Sequence, residues 1–204
     1  MRAAIYEKTG AARDVISIVE LETPQAGDGE VRIQLHCSGV NPSDVKSRSG
    51  MRVMAFSRVI PHSDGAGVID QVGEGVDRAR LGERVWTWNA AWNRPCGTAA
   101  EYIVLPATQA VRLPDGVDMS TGACLGIPAM TALHAIQVCG GVSGQRILVP
   151  GGAARWGNMP SRWPGCSAHA RYSRPSAVRR KRCLHNRLVL TPSSITARTM
   201  WSRG

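Results

Sequence analysis

Short apolar segments alternate with Gly-, Pro- and Asp-containing turns over the first 115 residues, and this pattern constrains the fold more than any other feature. The clearest example is "GDGEVRIQLHCSGV", where a Gly-Asp-Gly turn precedes Val31, Ile33, Leu35 and Cys37 at alternate positions. Such alternation predicts a half-buried β-strand. Similar strands are predicted at 3–6, 15–19 and 66–72, and in "LGERVWTW", "GTAAEYIVLP" and "AVRLP". Many short strands at this spacing are typical of a β-barrel, so we predict a barrel domain over residues 1–115.

The pattern changes after Pro114. The segment "TGACLGIPAMTALHAIQVCGG" predicts a helix that Ser120 caps and Pro128 interrupts. The segment "GQRILVPGG" then predicts a buried strand followed by a glycine turn. Helix, strand and Gly-rich turn are the opening of a dinucleotide-binding βαβ unit, so we predict such a domain to begin over residues 116–154. The predicted fold class is α/β, α+β overall.

The last 50 residues differ in composition from the rest of the chain. Residues 155–204 hold 11 of the 25 Lys and Arg residues and none of the 15 Asp and Glu residues, so this segment carries +11 while residues 1–154 carry −1, which gives the net charge of +10. Read one base out of step, the codons compatible with "AARWGNM" permit an apolar helix after the glycine turn. We therefore predict that this basic tail is an out-of-frame translation and that the 204-residue chain is a truncated form. Binding of nucleic acid or an anionic membrane by "RRKRCLHNR" is the alternative.

Cysteine usage and hydropathy limit the cellular setting. The six cysteines form no CxxC pair, which argues against a zinc ribbon or a disulfide framework. No apolar run approaches the roughly 20 residues of a membrane span. We expect a cytoplasmic protein with reduced thiols and without a membrane or specific nucleic-acid partner.

Five segments in one order resemble a known family. They are "CSGVNPSDVKSRSG", "PHSDGAGVIDQVGEGVDRARLGERVWT", "GTAAEYIVLP", "LPDGVDMSTGACLGIPAMTALHAI" and "GQRILVPGGA". Together they closely resemble the zeta-crystallin-like quinone oxidoreductases of the medium-chain dehydrogenase/reductase superfamily, over residues 1 to about 153. The resemblance implies a GroES-like barrel followed by a Rossmann domain.

The same resemblance implies hydride transfer from NADPH to a quinone or another conjugated carbonyl. It also implies a homodimer formed through Rossmann-domain surface. We expect the 204-residue chain to have little or no reductase activity, because most of that domain lies beyond the glycine turn. A barrel fragment that acts as a binding or regulatory module is the alternative.

The resemblance also bears on metal binding. In zinc-dependent relatives, a Cys ligand stands at the position of Asn41 and a His ligand at that of Ser63. A tetrahedral zinc site needs converging His, Cys or carboxylate ligands. His62 is displaced by one residue and Cys37 lies on a strand, so we expect no metal and interpret His62 as a surface or barrel-edge histidine.

The resemblance places Asn41 in the nicotinamide and acceptor pocket. There its amide can donate to a carbonyl oxygen that gains charge during hydride arrival. A cap of the helix that begins at Pro42 is the equal alternative. Asp44 caps or orients from the first turn, and Lys46 stands where relatives often have a substrate-facing tyrosine.

Further site residues follow from the same resemblance. Thr131 matches a threonine whose hydroxyl meets the nicotinamide, with back-bonding inside its own helix as the alternative. Trp88 is predicted either to wall a pocket for a flat quinone or to lie in the core. Gly151, Gly152 and Ala153 form the predicted phosphate-binding turn.

Overall fold

A computed structural model describes residues 1–138 and 140. The chain divides into two compact units, Met1–Met130 and Thr131–Gly204. The strands of the first unit are β1 (Arg2–Ile5), β2 (Ser17–Glu20), β3 (Glu30–Gly39), β4 (Asp64–Val72), β5 (Arg84–Thr87), β6 (Tyr102–Pro106) and β7 (Ala110–Arg112). The helices are α1 (Ala12–Val15), α2 (Pro42–Arg48), α3 (Met119–Gly122) and α4 (Met130–Val138).

Five of these strands form one curled antiparallel sheet, which confirms the predicted fold class. Its strand order is β6-β3-β4-β5-β7, and β1 and β2 pair separately as a two-stranded ribbon. The inward faces of the central strands carry Val31, Ile33 and Ile69, each no more than 1% exposed. Burial alternates along the first half of β3, as the sequence period predicted, whereas the first four residues of β4 are all buried.

The central pair β3 and β4 carries the site described below. The two strands are antiparallel, with Val31 opposite Val72 at one end and Gly39 opposite Asp64 at the other. Register shifts between Arg32 and Ile33, and again after Leu35, mark two bulges in this pair. Bulges of this kind increase local twist and bend the strand, which helps the sheet to curl.

Helix α2 begins where the sequence predicted it to begin. Asn41 is extended, with φ −116° and ψ 160°, and Pro42 occupies the first helical turn. Gly50 follows the helix with a φ of 93°, a conformation that glycine adopts without a steric penalty. The sequence prediction was wrong nearer the N-terminus, because Ala12–Val15 form a short helix and the strand begins only at Ser17.

The segment after the barrel is broken, as Pro128 predicted. Leu125–Ala129 form a single π-helical turn between α3 and α4, and Pro128 lies inside it. The cap assigned from sequence was wrong: the Asp118 side chain accepts from the Thr121 N–H at 2.7 Å. Residues 116–130 belong to the same compact unit as the sheet, so this unit extends beyond the predicted barrel boundary.

Candidate active site

A buried amide–carboxylate pair lies where β3 leads into α2. Asp64, the first residue of β4, is 0% exposed, and Asn41 is 3% exposed. The Asn41 Nδ2 donates to Asp64 Oδ2 at 2.8 Å. A buried carboxylate needs such partners, because removing an unpaired charge from water is costly.

The other groups of Asp64 are also bonded. The backbone N–H of Ile127, in the π-helical turn, donates to Asp64 Oδ1 at 2.9 Å. The Thr98 hydroxyl donates to the Asp64 backbone carbonyl at 2.6 Å. A Cβ at Gly126 would lie 2.2 Å from Asp64 Oδ1, so only glycine permits the turn to approach the carboxylate this closely. Asp64 thereby joins the end of the sheet, α2 and the π-helical turn.

Burial and hydrogen bonding have opposite effects on the pKa values of Asp64 and Asp44. Burial raises the pKa of the Asp64 carboxyl, while hydrogen bonds from Asn41 and Ile127 partly oppose that rise. Burial also raises the pKa of Asp44, and the hydrogen bond from the Asn41 backbone opposes it. The donors around both groups stabilise their ionised forms.

Asn41 and Asp44 also form the N-terminal cap of α2. The Asn41 backbone N–H donates to Asp44 Oδ2 at 2.7 Å, which is the return bond of a capping box. Between them in the chain, Ser43 has a buried Oγ that makes no hydrogen bond to any residue in the described part of the chain. A buried polar atom of this kind is uncommon, because burial without a partner costs about 1–3 kcal/mol.

Lys46 and Trp88 form no hydrogen bond with Asn41 or Asp64 within the described residues. Lys46 is exposed on α2. Trp88 follows β5 and is half-buried, and its indole Nε1 donates to the Thr108 carbonyl at 3.3 Å. The Trp88 carbonyl in turn accepts from the buried Gln109 side chain at 3.0 Å. The tryptophan is therefore held against the segment before β7.

His62 lies in a directed chain of hydrogen bonds. Its Nδ1 is 2.9 Å from Ser38 Oγ, which is 2.8 Å from Thr98 Oγ1. Since the Thr98 hydroxyl donates to the Asp64 carbonyl, Ser38 must donate to Thr98 and His62 Nδ1–H to Ser38. Burial lowers the pKa of His62, and its φ of 78° is one that residues other than glycine rarely adopt. The predicted edge histidine is thus half-buried and held in one tautomer.

Comparison with known proteins places the described barrel in a family. Residues 27–115 match the alcohol dehydrogenase GroES-like domain. Human quinone oxidoreductase is 34% identical over 138 residues, which cover 65% of this chain and 40% of the human protein. The chain therefore spans about two fifths of the length of the curated quinone oxidoreductases that it matches.

The chain belongs to the quinone oxidoreductase-like branch of the medium-chain dehydrogenase/reductase superfamily.

Solved structures share this fold. A mycobacterial protein whose structure contains NADPH is 29% identical, with a TM-score of 0.68 over 78% of this chain and 48% of its own. A thermostable alcohol dehydrogenase from Pyrobaculum aerophilum, solved with cobalt and zinc, is 28% identical with the same TM-score, over 78% of this chain and 54% of its own. The shared fold therefore occurs in a protein that has bound metal ions.

No group of three or more His, Cys, Asp or Glu residues that could hold a metal ion occurs in the described part of this superfamily member. Of the two positions at which the resemblance implies ligands in zinc-dependent relatives, Asn41 and Ser63, Asn41 is bonded to Asp64 in this structure. Absence of zinc stays a prediction. Of the predicted cofactor residues, Thr131 lies on α4 in the second compact unit, and Gly151, Gly152 and Ala153 lie outside the described residues.

The structure brings together some predicted site residues and separates others. Asn41 and Asp44 are in contact at the start of α2, whereas Lys46 and Trp88 make no hydrogen bond to either of them. A groove of about 480 Å³ on the barrel is lined by Cys37, Ser38, His62 and Thr98 among others, and by none of the predicted site residues.

Sequence reasoning missed two residues of this region. Asp64 lies in the segment "PHSDGAGVID" and no role was predicted for it, although an acidic residue that opens the apolar run "DGAGVI" signals a buried carboxylate. Ser43 carries no comparable signal, because its lack of a partner depends on the packing around α2.

No helix in the described residues of this family member is both long and apolar enough to cross a membrane.

Proposed function

We propose that this chain derives from an NADPH-dependent oxidoreductase that reduces a quinone or a related conjugated carbonyl. In this proposal the acceptor is bound or oriented by Asn41, Asp44, Lys46 and Trp88. The proposed cofactor-binding residues are Asn41, Thr131, Gly151, Gly152 and Ala153. The proposal is supported by family membership and by the chemistry of the buried pair at Asn41. The alternative of a barrel that serves only as a binding module has no observation in its favour.

The observation that carries the proposal is the fixed amide of Asn41. One Nδ2–H of this side chain is used by Asp64, and no other described residue accepts from Nδ2, so the second N–H remains for a ligand. A buried, preoriented N–H donor stabilises negative charge that develops on a carbonyl oxygen. The amide thus suits the step in which an acceptor oxygen gains charge.

The cap of α2 and a ligand contact are compatible roles for Asn41. In the capping box of α2, the return bond comes from the Asn41 backbone N–H, which donates to Asp44. Capping and donation from the second Nδ2–H therefore use different atoms of Asn41. We propose that Asn41 performs both roles and that Asp44 is a positioning residue.

The buried hydroxyl of Ser43, which has no partner in the described part of the chain, is proposed to bind the cofactor or the acceptor. Its buried Oγ lies in the first turn of α2, two residues after Asn41. A bound cofactor or acceptor would provide the missing partner and remove the cost of leaving this atom unpaired. When bound, NADPH supplies the hydride, and the chain's residues bind the acceptor, orient it and exclude water.

Acceptor choice is proposed to depend on Trp88 and Lys46. The half-buried indole of Trp88 is held by its bond to the Thr108 carbonyl, and a rigid indole face packs well against a flat quinone ring. Lys46 is exposed and stands where a tyrosine is common in relatives, so substrate orientation in this chain is proposed to differ from theirs.

The finer statements about cofactor and assembly are also proposals. NADPH is favoured over NADH by the resemblance and by the NADPH-bound mycobacterial relative. A cytoplasmic location, a homodimer, and the absence of specific nucleic-acid and membrane partners remain predictions.

We also propose that residues 155–204 are an out-of-frame translation of the gene. Support comes from the charge asymmetry and from the apolar continuation that the codons permit. Sequencing the gene from its source tests this: a single-base change that restores a Rossmann continuation is expected. If no single change restores one, the proposal is wrong.

The function is tested by comparing the 204-residue chain with the protein from a frame-restored gene. We expect quinone-dependent NADPH consumption by the restored protein and little or none by the 204-residue chain. A fluorescence titration with NADPH separates loss of cofactor binding from loss of turnover.

The role of Asn41 is tested in the restored protein. Asn41→Ala is expected to lower kcat by about 100-fold, the usual cost of removing one preorganised donor to a developing oxyanion. Gln34→Ala is the matched control, because Gln34 is an exposed amide on β3. Equal activity of the two variants would contradict the proposed role.

A further inference from the structure

Asp64 is the one carboxylate that is fully buried in the described part of the chain. It is 0% exposed, each carboxylate oxygen accepts one N–H, and its backbone carbonyl accepts the Thr98 hydroxyl. Its two carboxylate partners come from different segments, the residue that caps α2 and the π-helical turn. The carboxylate therefore cannot rotate without breaking at least one of these bonds.

This arrangement decides which atom of the Asn41 amide faces inward. An ionised carboxylate only accepts hydrogen bonds, so the atom 2.8 Å from Asp64 Oδ2 must be the amide nitrogen. Rotating the amide by 180° would place its oxygen against the carboxylate and create repulsion. Asp64 thus selects one of the two amide orientations.

The close approach of the π-helical turn reinforces this selection. Gly126 places the turn against the carboxylate, and the Ile127 N–H occupies Oδ1 at 2.9 Å. With Oδ1 engaged, the Asn41 amide is left with Oδ2. The direction of its second N–H is then set by the planar geometry of the amide.

We propose that Asp64 is a positioning residue that holds one Nδ2–H of Asn41 inward, so that the second Nδ2–H is presented to the acceptor oxygen in a fixed direction. The inference rests on the proposed function for the identity of the ligand, but not for the orientation of the amide. Orientation is achieved before the ligand arrives, which is the condition under which a donor contributes most to catalysis.

The orientation is tested by nuclear magnetic resonance on the ¹⁵N-labelled 204-residue chain. The side-chain amide signal of Asn41 is assigned by its loss in Asn41→Ala. We expect its two protons to be inequivalent, with the inward proton exchanging with solvent at least about tenfold more slowly, as a charge-assisted bond predicts. Two protons that exchange equally fast in the unmodified chain would overturn the proposal without any variant.

Asp64→Asn provides the second measurement. In this variant, one acceptor oxygen is available to the inward N–H groups of Asn41 and Ile127. The exchange rate of the inward Asn41 proton with solvent is therefore expected to rise about tenfold or more. Asp70→Asn is the matched control, because Asp70 lies on the same strand and binds Arg32 instead. Slow exchange that persists in Asp64→Asn would overturn the positioning role, and the unmodified chain decides the question if the variant does not fold.

The ligand half of the inference is tested with tetramethyl-1,4-benzoquinone as the carbonyl probe. In the unmodified chain, we expect the probe to shift the outward proton of Asn41, and we expect the shift to be lost in Asp64→Asn. No shift in the unmodified chain, despite a slow inward proton, would overturn the proposed acceptor contact of Asn41. A fast inward proton would overturn the positioning role of Asp64, so the two failures are distinguishable.

Discussion

Replacing Gly126 by alanine is expected to destabilise the barrel unit, because the new methyl group would collide with a carboxylate that has no room to move. The added Cβ would lie 2.2 Å from Asp64 Oδ1 and 3.0 Å from the Thr87 carbonyl. Restoring an ordinary contact requires a separation of about 1 Å more. A shift of that size breaks the 2.9 Å bond from the Ile127 N–H and strains the 2.8 Å bond from Asn41.

The expected magnitude follows from those bonds. A hydrogen bond to a charged group contributes about 1.5–3 kcal/mol, so losing one and weakening another lowers the free energy of unfolding by about 2–4 kcal/mol. At about 4 °C per kcal/mol for a unit of this size, the unfolding temperature falls by about 8–16 °C.

Urea titration followed by circular dichroism measures this change. Gly116→Ala is the matched control, because nothing lies within 4 Å of its Cβ position and its φ is not positive. The control is expected to change stability by less than about 1 kcal/mol. Equal unfolding midpoints for the two variants would refute the argument that the carboxylate is immobile.

Three further predictions follow from single contacts. Acidification below pH 6.5 is expected to lower the free energy of unfolding, because burial lowers the pKa of folded His62 and the unfolded chain binds the proton first. His62→Gly is expected to remove this contribution, and equal pH slopes in urea titrations of the two proteins would contradict it. Arg32→Ala is expected to cost about 1–2 kcal/mol in the same assay, because the Arg32 guanidinium, 16% exposed, binds Asp70 at 2.9 Å; no change would show that the pair is not stabilising. Trp88→Phe is expected to cost about 1 kcal/mol through loss of the indole bond to a backbone carbonyl, and an unchanged unfolding midpoint would count against that bond.

Local rules in the sequence were sufficient for several elements. The start of α2 was predictable from Asn41 and Pro42, because a cap and a first-turn proline act over a few residues. The break at Pro128 was equally predictable, since proline removes a helical hydrogen bond wherever it stands. Ser120 was wrongly assigned as a cap because Asp118, two residues earlier, was a competing cap whose carboxylate accepts the Thr121 N–H.

The candidate site was only partly predictable, because its contacts join residues that are distant in the sequence. Asn41 could be named from its motif, yet the sequence left capping and ligand contact as alternatives. The structure separates the atoms involved, since the backbone N–H binds Asp44 while the side-chain nitrogen binds Asp64. Trp88 illustrates the limit, because its carbonyl partner, Thr108, lies 20 residues away and depends on how the neighbouring strands pair.

By itself, the sequence determined the short strands, the cap and start of α2, the proline break and the unusual basic segment, because each depends on residues within a few positions of one another. Tertiary structure decided the pairing of Asn41 with Asp64, 23 residues later, and of Asp64 with Ile127, 63 residues later. These contacts depend on the register of β3 against β4 and on the approach that Gly126 permits. The alternating pattern decides which face of a strand is buried, whereas contacts between residues this distant in the sequence form only when the whole unit folds.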